Sequence, residues 1–226
     1  MNTNWKKDRN FGYRWRHYIE ACACGPLVYI RNLKCASTFF YKNLIDNCKW
    51  TEIAFTEIDW GTQRVFGHIQ DPIQRRHSAI AEYVFMTATQ DLYYQNAGFK
   101  EVINSASLLD KHSLSYDHTF GHYCWLIDWI PLSGSHHDVI GVTEKLLEHY
   151  HINIPKWDFG WAHCSDPAKK KLAEDLKSAW DLSVEDTSKI YLEKDINLWN
   201  SITEKFNPTK QTWPEITWLR DREIYY

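Results

Sequence analysis

The chain predicts an α/β fold in which a central, mostly parallel sheet is flanked by helices. Three observations carry that expectation. The apolar runs Leu27–Arg31 and Val65–Ile69 each stop at a turn and lead into a helix-like pattern. A third run, Tyr123–Ile130, precedes another such pattern in "VIGVTEKLLEHY". Strands that alternate with helices pair in parallel, because each crossover helix returns the chain to the same edge. With 226 residues the chain suffices for one core, so a single domain over 1–226 is expected.

The elements follow in order. Met1–Glu20 is polar and aromatic, an arm or short helix. Gly25-Pro26 is a turn signal that opens the first strand. From Ser37 to Asn47, Phe40, Leu44 and Asn47 recur at helical spacing, and Ser37 or Thr38 is placed to cap that helix. A short strand at Ile53–Phe55 falls within an irregular connection. Asp71 and Pro72 start a helix reaching toward Met86, with proline in its first turn and aspartate at its cap. Residues 87–116 read as loops and short helices. Tyr123–Ile130 is a strand, or a helix end leading into one, closed by Pro131 and Gly134. Further helices are expected over Val139–Tyr150, Pro167–Trp180 and Ser183–Ile202, each with an apolar stripe.

Composition narrows the function classes. Apolar residues make up 44% and charged residues 24%, which fits a packed domain rather than a disordered one. A formal net charge of -3 argues against a dedicated nucleic-acid binder. The polar start of the chain and the lack of any apolar run near about 18 residues predict no membrane partner. Six cysteines without CxxC spacing predict free thiols in a reducing, cytoplasmic compartment, and no metal site. A bacterial or viral origin fits that compartment. His136-His137-Asp138 and His163-Cys164 lack the spaced partners that zinc needs. Most of the 12 tryptophans must pack in the core or at its rim. Tyr93, Tyr94, Trp125, Trp129, Trp157 and Trp161 are candidates to line an acceptor pocket.

Two segments carry chemistry. In "IRNLKCASTFFYKNL" a strand turns sharply into a helix through small residues. Ala36 and Ser37 let backbone N–H groups approach an anion, and the helix N-terminus adds unpaired donors. Ser37 and Thr38 add hydroxyls and Lys34 a mobile cation. The same residues also fit a plain capped helix with a surface lysine. The glycine frame of a Walker A loop is absent. In "GHIQDPIQRRHSAI", Arg75 and Ser78 stand three residues apart on a helix that follows a strand. One cation and one hydroxyl there can hold a second phosphate, or the helix can simply face solvent.

Taken together, these two segments resemble the nucleotide-binding motifs of sulfotransferases that use 3'-phosphoadenosine 5'-phosphosulfate (PAPS), the carbohydrate (Golgi-type) group in particular. That resemblance implies a P-loop-like sulfotransferase fold. It implies that Lys34 contacts the bridging region of PAPS, with Cys35, Ala36, Ser37, Thr38 and Phe39 wrapping its 5'-phosphosulfate. It assigns the 3'-phosphate to Arg75 and Ser78 after Asp71-Pro72. Leu33 stands where the family has proline, and Gln70 where it has the first arginine of the second motif. "SYDHTFGHYCW" is similar to a family segment through Asp117 and His118, and "IYLEKDINLW" through Tyr191, Lys194, Asp195 and Trp199. The resemblance implies transfer of a sulfuryl group to the hydroxyl of a carbohydrate or small molecule, leaving 3'-phosphoadenosine 5'-phosphate, with no metal.

Transfer needs a base to take the acceptor proton. Glu57, in a loop after the first helix, is the first candidate, His68 the second and His118 the third. A P-loop-like nucleotide kinase is the rival enzyme, opposed by the missing glycine frame and missing Mg²⁺ carboxylates. A noncatalytic nucleotide-binding or interaction protein is the rival of a different class.

Overall fold

The computed structural model describes residues 19–79, 120–132, 136–161 and 186–205. Five strands form one sheet: β1 (Glu20–Cys24), β2 (Leu27–Ile30), β3 (Thr51–Ala54), β4 (Arg64–Ile69) and β5 (Asp128–Pro131). Their spatial order is β3-β1-β2-β4-β5. Four described helices accompany them: α1 (Ser37–Cys48), α2 (72–79), α3 (His136–His149) and α4 (Asp186–Lys205). The architecture is therefore a mixed sheet flanked by helices. β2, β4 and β5 run parallel, but β1 is antiparallel to both β2 and β3. The expectation of a mostly parallel sheet holds for one half of it only.

The antiparallel half has a local cause. Gly25-Pro26 does not merely open a strand; it is the two-residue loop of a β1–β2 hairpin, closed by the Cys24–Leu27 pair. Gly25 has φ 56°, which suits the first central position of a type II′ turn. The stretch Glu20–Cys24 thus becomes a strand, although its "EACAC" lacks the β-branched residues that advertise one.

Side chains alternate between the two faces of the sheet. Cys22, Leu27, Tyr29, Phe66 and Ile130 face α1 and α3, where they meet Phe40, Leu44, Val142 and Leu146. Ala21, Val28, Ile30, Val65, Ile69 and Trp129 face the other way, toward Phe55, Phe120, Cys124 and Leu198 of α4. Trp199 and Ile202 extend the α4 contact. Asp195, on the same helix, is buried. Residues of the "IYLEKDINLW" segment therefore help build the core beneath the sheet.

The "YCWLIDWI" segment resolves into a 3₁₀ turn, Gly121–Trp125, followed by β5. At the amino ends of β4 and β5, Arg64 Nε donates to Asp128 Oδ2 at 2.7 Å and Arg64 Nη1 donates to the Tyr150 hydroxyl at 3.1 Å. That end of the sheet is pinned by charge, while the opposite end holds the turns of interest. Five described cysteines are free thiols. Among the described residues no helix is long and apolar enough to cross a membrane.

Gly67 lies on β4 directly beside Trp129 of β5. A Cβ there would come 3.0 Å from the indole and 3.2 Å from the Ile30 carbonyl oxygen. One of these is backbone and cannot yield cheaply. Gly67→Ala is expected to destabilise the protein by about 1–3 kcal/mol, read as a lower midpoint in urea denaturation. An unchanged midpoint would contradict the close packing of β4 on β5.

Candidate functional site

β2 and β4 are parallel neighbours, so their carboxyl ends lie side by side. Both motifs singled out in the sequence start from those ends. After β2 the chain makes a turn at Leu33–Ala36 and enters α1 at Ser37. Lys34 and Ala36 have φ 65° and 51°, a left-handed conformation that L-residues adopt at a cost of about 1–2 kcal/mol each. Buried Asn32 holds the root of the turn: its Nδ2 donates to the His68 carbonyl at 3.0 Å and to Cys35 Sγ at 3.2 Å. The Cys35 N–H closes the turn on the Asn32 carbonyl at 3.3 Å. Cys35 itself is buried in the core on the α4 side.

The cap differs from expectation. Ala36 is the N-cap, with no side-chain cap bond, so Ser37 and Thr38 are the first two helical residues. The first intrahelical bond runs from the Phe40 N–H to the Ala36 carbonyl. By helix geometry the N–H groups of Ser37, Thr38 and Phe39 precede any intrahelical acceptor, and the helix dipole adds partial positive charge there. Thr38 is otherwise engaged: its Oγ1 accepts from Arg31 Nη2 at 3.1 Å, which leaves the hydroxyl hydrogen to donate elsewhere. The Phe39 side chain faces away from the turn and stacks on Trp157, with ring centroids 5.5 Å apart.

The helix of the second motif starts where Asp71-Pro72 predicts. Asp71 Oδ1 accepts the Gln74 N–H at 2.9 Å, Pro72 opens the helix, and the Arg75 N–H reaches the Asp71 carbonyl at 2.8 Å. Arg75 is only 2% exposed, and its Nε donates to the Leu33 carbonyl at 3.2 Å. α2 therefore braces the very turn that carries Lys34. Ser78 lies further along α2 and is exposed, so the i,i+3 spacing does not give it the buried surroundings of Arg75. Gln70 Nε2 donates to Gln74 Oε1 at 3.5 Å, a neutral contact along the helix.

The three candidate bases stand apart. Glu57 is exposed beyond β3, and its Oε2 accepts the Ala54 N–H at 2.5 Å, which closes a 3₁₀ turn. Ala54 pairs with Glu20, so Glu57 lies toward the same end of the sheet as the carboxyl end of β2, two strands away. His68 is a correction. It is fully buried under α1 and α3, stacked on Phe40 with centroids 3.6 Å apart, and burial depresses its pKa to about 3. An imidazole so enclosed has no path to an acceptor hydroxyl. His118 lies outside the described residues, as do Asp117, Tyr93, Tyr94, His163, Cys164 and the Pro167–Trp180 segment.

Among the pocket candidates, Trp129 is a core residue whose Nε1 donates to the Cys124 carbonyl at 2.8 Å. Trp157 donates to Glu144 Oε1 at 2.7 Å and packs on α1. Trp125 is exposed.

Glu20 and Asn32 went unnoticed in the sequence. Glu20 pairs with Arg31, whose own N–H bonds the Glu20 carbonyl at 2.9 Å, and the Arg31 guanidinium lies 5.5 Å from the Tyr41 ring centroid. The Glu20 carboxylate is thus one guanidinium away from Thr38. Reading Gly25-Pro26 as a two-residue hairpin loop would have exposed it, since that register sets Glu20 next to the residue after β2. The Tyr41 hydroxyl donates to Glu52 Oε1 at 3.2 Å and completes a polar cluster over β1 and β3.

Among the described residues no group of three or more His, Cys, Asp or Glu side chains is placed to hold a metal ion. Comparisons with family models, with curated proteins and with solved structures return no match for this chain.

Proposed function

We propose that this protein transfers a sulfuryl group from PAPS to an acceptor hydroxyl of a carbohydrate or small molecule. One observation carries the reading: Arg75 of the second motif donates to the Leu33 carbonyl, next to Lys34 of the first, so the two motifs share one edge of the sheet. In open α/β sheets that edge, beyond the strand carboxyl ends, is where ligands bind. The turn's chemistry fits an anion. It offers helix N-terminal amides, a Thr38 hydroxyl oriented by Arg31 to donate, and the Lys34 cation.

In the reaction the bond from sulfur to the 5'-phosphate oxygen breaks and a bond from sulfur to the acceptor oxygen forms. The acceptor's proton passes to a base, and the leaving group is 3'-phosphoadenosine 5'-phosphate. Lys34 meets the charge that grows on the leaving phosphate oxygen. Two carboxylates toward this edge, Glu20 paired with Arg31 and Glu57 closing its 3₁₀ turn, are the candidates for the base.

A second reading, nucleotide binding without transfer, draws on the enclosure of His68 and the capping role of Glu57. The test is an assay of purified protein with PAPS and a panel of oligosaccharides, alcohols and phenols, following release of 3'-phosphoadenosine 5'-phosphate. Acceptor-dependent release is expected. Binding of the nucleotide with no release across the panel would favour the second reading.

A further inference from the structure

His68 is an imidazole placed where alternation along β4 calls for an apolar side chain, between the sheet and the α1–α3 layer. Its ring lies on Phe40 of α1 at 3.6 Å between centroids and 15° between planes. Nε2 is 3.1 Å from Thr143 Oγ1 on α3, and Nδ1 is 3.3 Å from the Tyr29 hydroxyl on β2. The direction of these bonds follows from proton counting. Thr143 Oγ1 donates its single hydrogen to the Val139 carbonyl at 2.9 Å, so it must accept from His68 Nε2–H. Nδ1 then carries the lone pair and accepts from the Tyr29 O–H. The neutral ring satisfies every member of the chain, from β2 through β4 to α3.

The protonated ring does not. A hydrogen on Nδ1 would face the Tyr29 hydroxyl and displace its hydrogen, with no second acceptor for it in the chain of bonds. No counter-charge is at hand among the described residues. β2 presents Tyr29, α1 presents Phe40 and α3 presents Thr143. The Cys22 thiol on β1 lies behind Tyr29, and burial raises the pKa of both groups, so neither supplies an anion in acid. A buried charge without a partner is relieved by letting water in, which here means parting α1 and α3 from the sheet.

The consequence reaches the candidate site. α1 carries Phe40 and also presents the N-terminal amides, and the His68 carbonyl holds Asn32 at the root of the Lys34 turn. We infer that His68 is an acid-sensitive latch: neutral, it holds α1 and the adjoining turn against the sheet, and protonation opens the α1–α3 layer and lowers anion affinity. The second half of this inference rests on the proposed function; the first does not.

The sign is set by linkage. Burial depresses the folded-state pKa of His68 to about 3, below its ordinary value of about 6.5. Between those values the open form binds a proton and the closed form does not. Stability from this group is present at neutral pH and falls as pH drops below about 6.5. The opening constant should rise about tenfold per pH unit in that window.

The experiment is amide hydrogen exchange of the full chain at pH 7.5 and pH 5.0, corrected for the chemical exchange rate, for wild type and His68→Gln. Opening of α1 in wild type should rise about 30-fold at pH 5.0, and the glutamine variant should lose that rise while keeping the other ten histidines. Equal acceleration in both proteins, or none in wild type, overturns the latch. Should the variant fail to fold, the wild-type His68 ring resonance decides: a titration near pH 6.5 without loss of native signals contradicts the latch, and silence down to the opening transition supports it. Calorimetry with 3'-phosphoadenosine 5'-phosphate at pH 7.5 and 5.5, wild type against His68→Gln, tests the coupling. Affinity should fall more in wild type, and a parallel fall in both overturns the coupling. No binding to either protein at pH 7.5 counts against the proposed function, while the exchange result still judges the latch.

Discussion

Replacing Lys34 by alanine is expected to lower the proposed sulfuryl transfer by about 100-fold to 1,000-fold, with affinity for 3'-phosphoadenosine 5'-phosphate held within about threefold. The split follows from where Lys34 stands. It sits in a strained turn between β2 and α1, at φ 65°, and Arg75 and Asn32 brace that turn. Alanine at the same backbone position keeps the turn. What is lost is a cation whose attraction grows as charge accumulates on the leaving oxygen. In the proposed site, ground-state binding rests on the helix amides and the Thr38 hydroxyl and should change little. Steady-state kinetics beside calorimetry reads the two terms separately. An equal loss in affinity and turnover would place Lys34 in uniform binding, and unchanged turnover would remove it from the chemistry.

The second large effect is on stability. Asn43 is a fully buried amide in the middle of α1. Its Nδ2 donates to the Phe39 carbonyl at 2.8 Å and to the Asp158 carbonyl at 3.2 Å, and its Oδ1 accepts the Asp158 N–H at 2.6 Å. Asn47 adds a bond to the Lys156 carbonyl at 2.9 Å, and Cys48 Sγ one to the Asn153 carbonyl at 3.1 Å. The segment after α3 is therefore strapped along α1 through side chains alone. Asn43→Ala removes both bonds to Asp158 and leaves their backbone groups without those partners. Asp158 is exposed, so water can take up its freed groups, and the cost is that of losing the several hydrogen bonds made by one fully buried amide. The expected loss is about 2–4 kcal/mol in urea denaturation. Asn47→Ala, at an exposed position with one backbone partner, should cost about 1 kcal/mol or less. Equal costs at the two positions would contradict the strap.

How far these features were legible depends on the distance over which each is encoded. The strand–turn–helix units at Leu27–Cys48 and Arg64–Ala79 are local. Apolar alternation, the Asp71-Pro72 start and the helical repeat of Phe40 and Leu44 all act within a few residues. β1 is not legible because Ala and Cys alternate there without branched side chains, and because Gly25-Pro26 fits a strand opener as well as a two-residue hairpin loop. With β1 came the antiparallel half of the sheet and the placement of Glu20. The capping role given to Ser37 or Thr38 failed for a similar reason. The left-handed Lys34 and Ala36 move the helix start by one residue, and residue type alone does not announce that.

Long-range partners were illegible in principle. His68 owes its character to Tyr29 and Thr143, which are 39 and 75 residues away in sequence. Asn43 owes its role to Asp158, 115 residues away. Sequence spacing put Arg75 and Ser78 on one helix, but only the fold brings Arg75 against Leu33.

In the proposed function the ends of β2 and β4 jointly grip one nucleotide through two separate phosphates. Titration calorimetry of the wild-type protein at pH 7.5 with 3'-phosphoadenosine 5'-phosphate, adenosine 5'-phosphate and ATP measures this directly. The bisphosphate should bind at least about tenfold more tightly than either other nucleotide, a difference of about 1.4 kcal/mol for engaging the second phosphate. ATP binding as tightly as the bisphosphate, or a 3'-phosphate that adds nothing to affinity, would contradict the account.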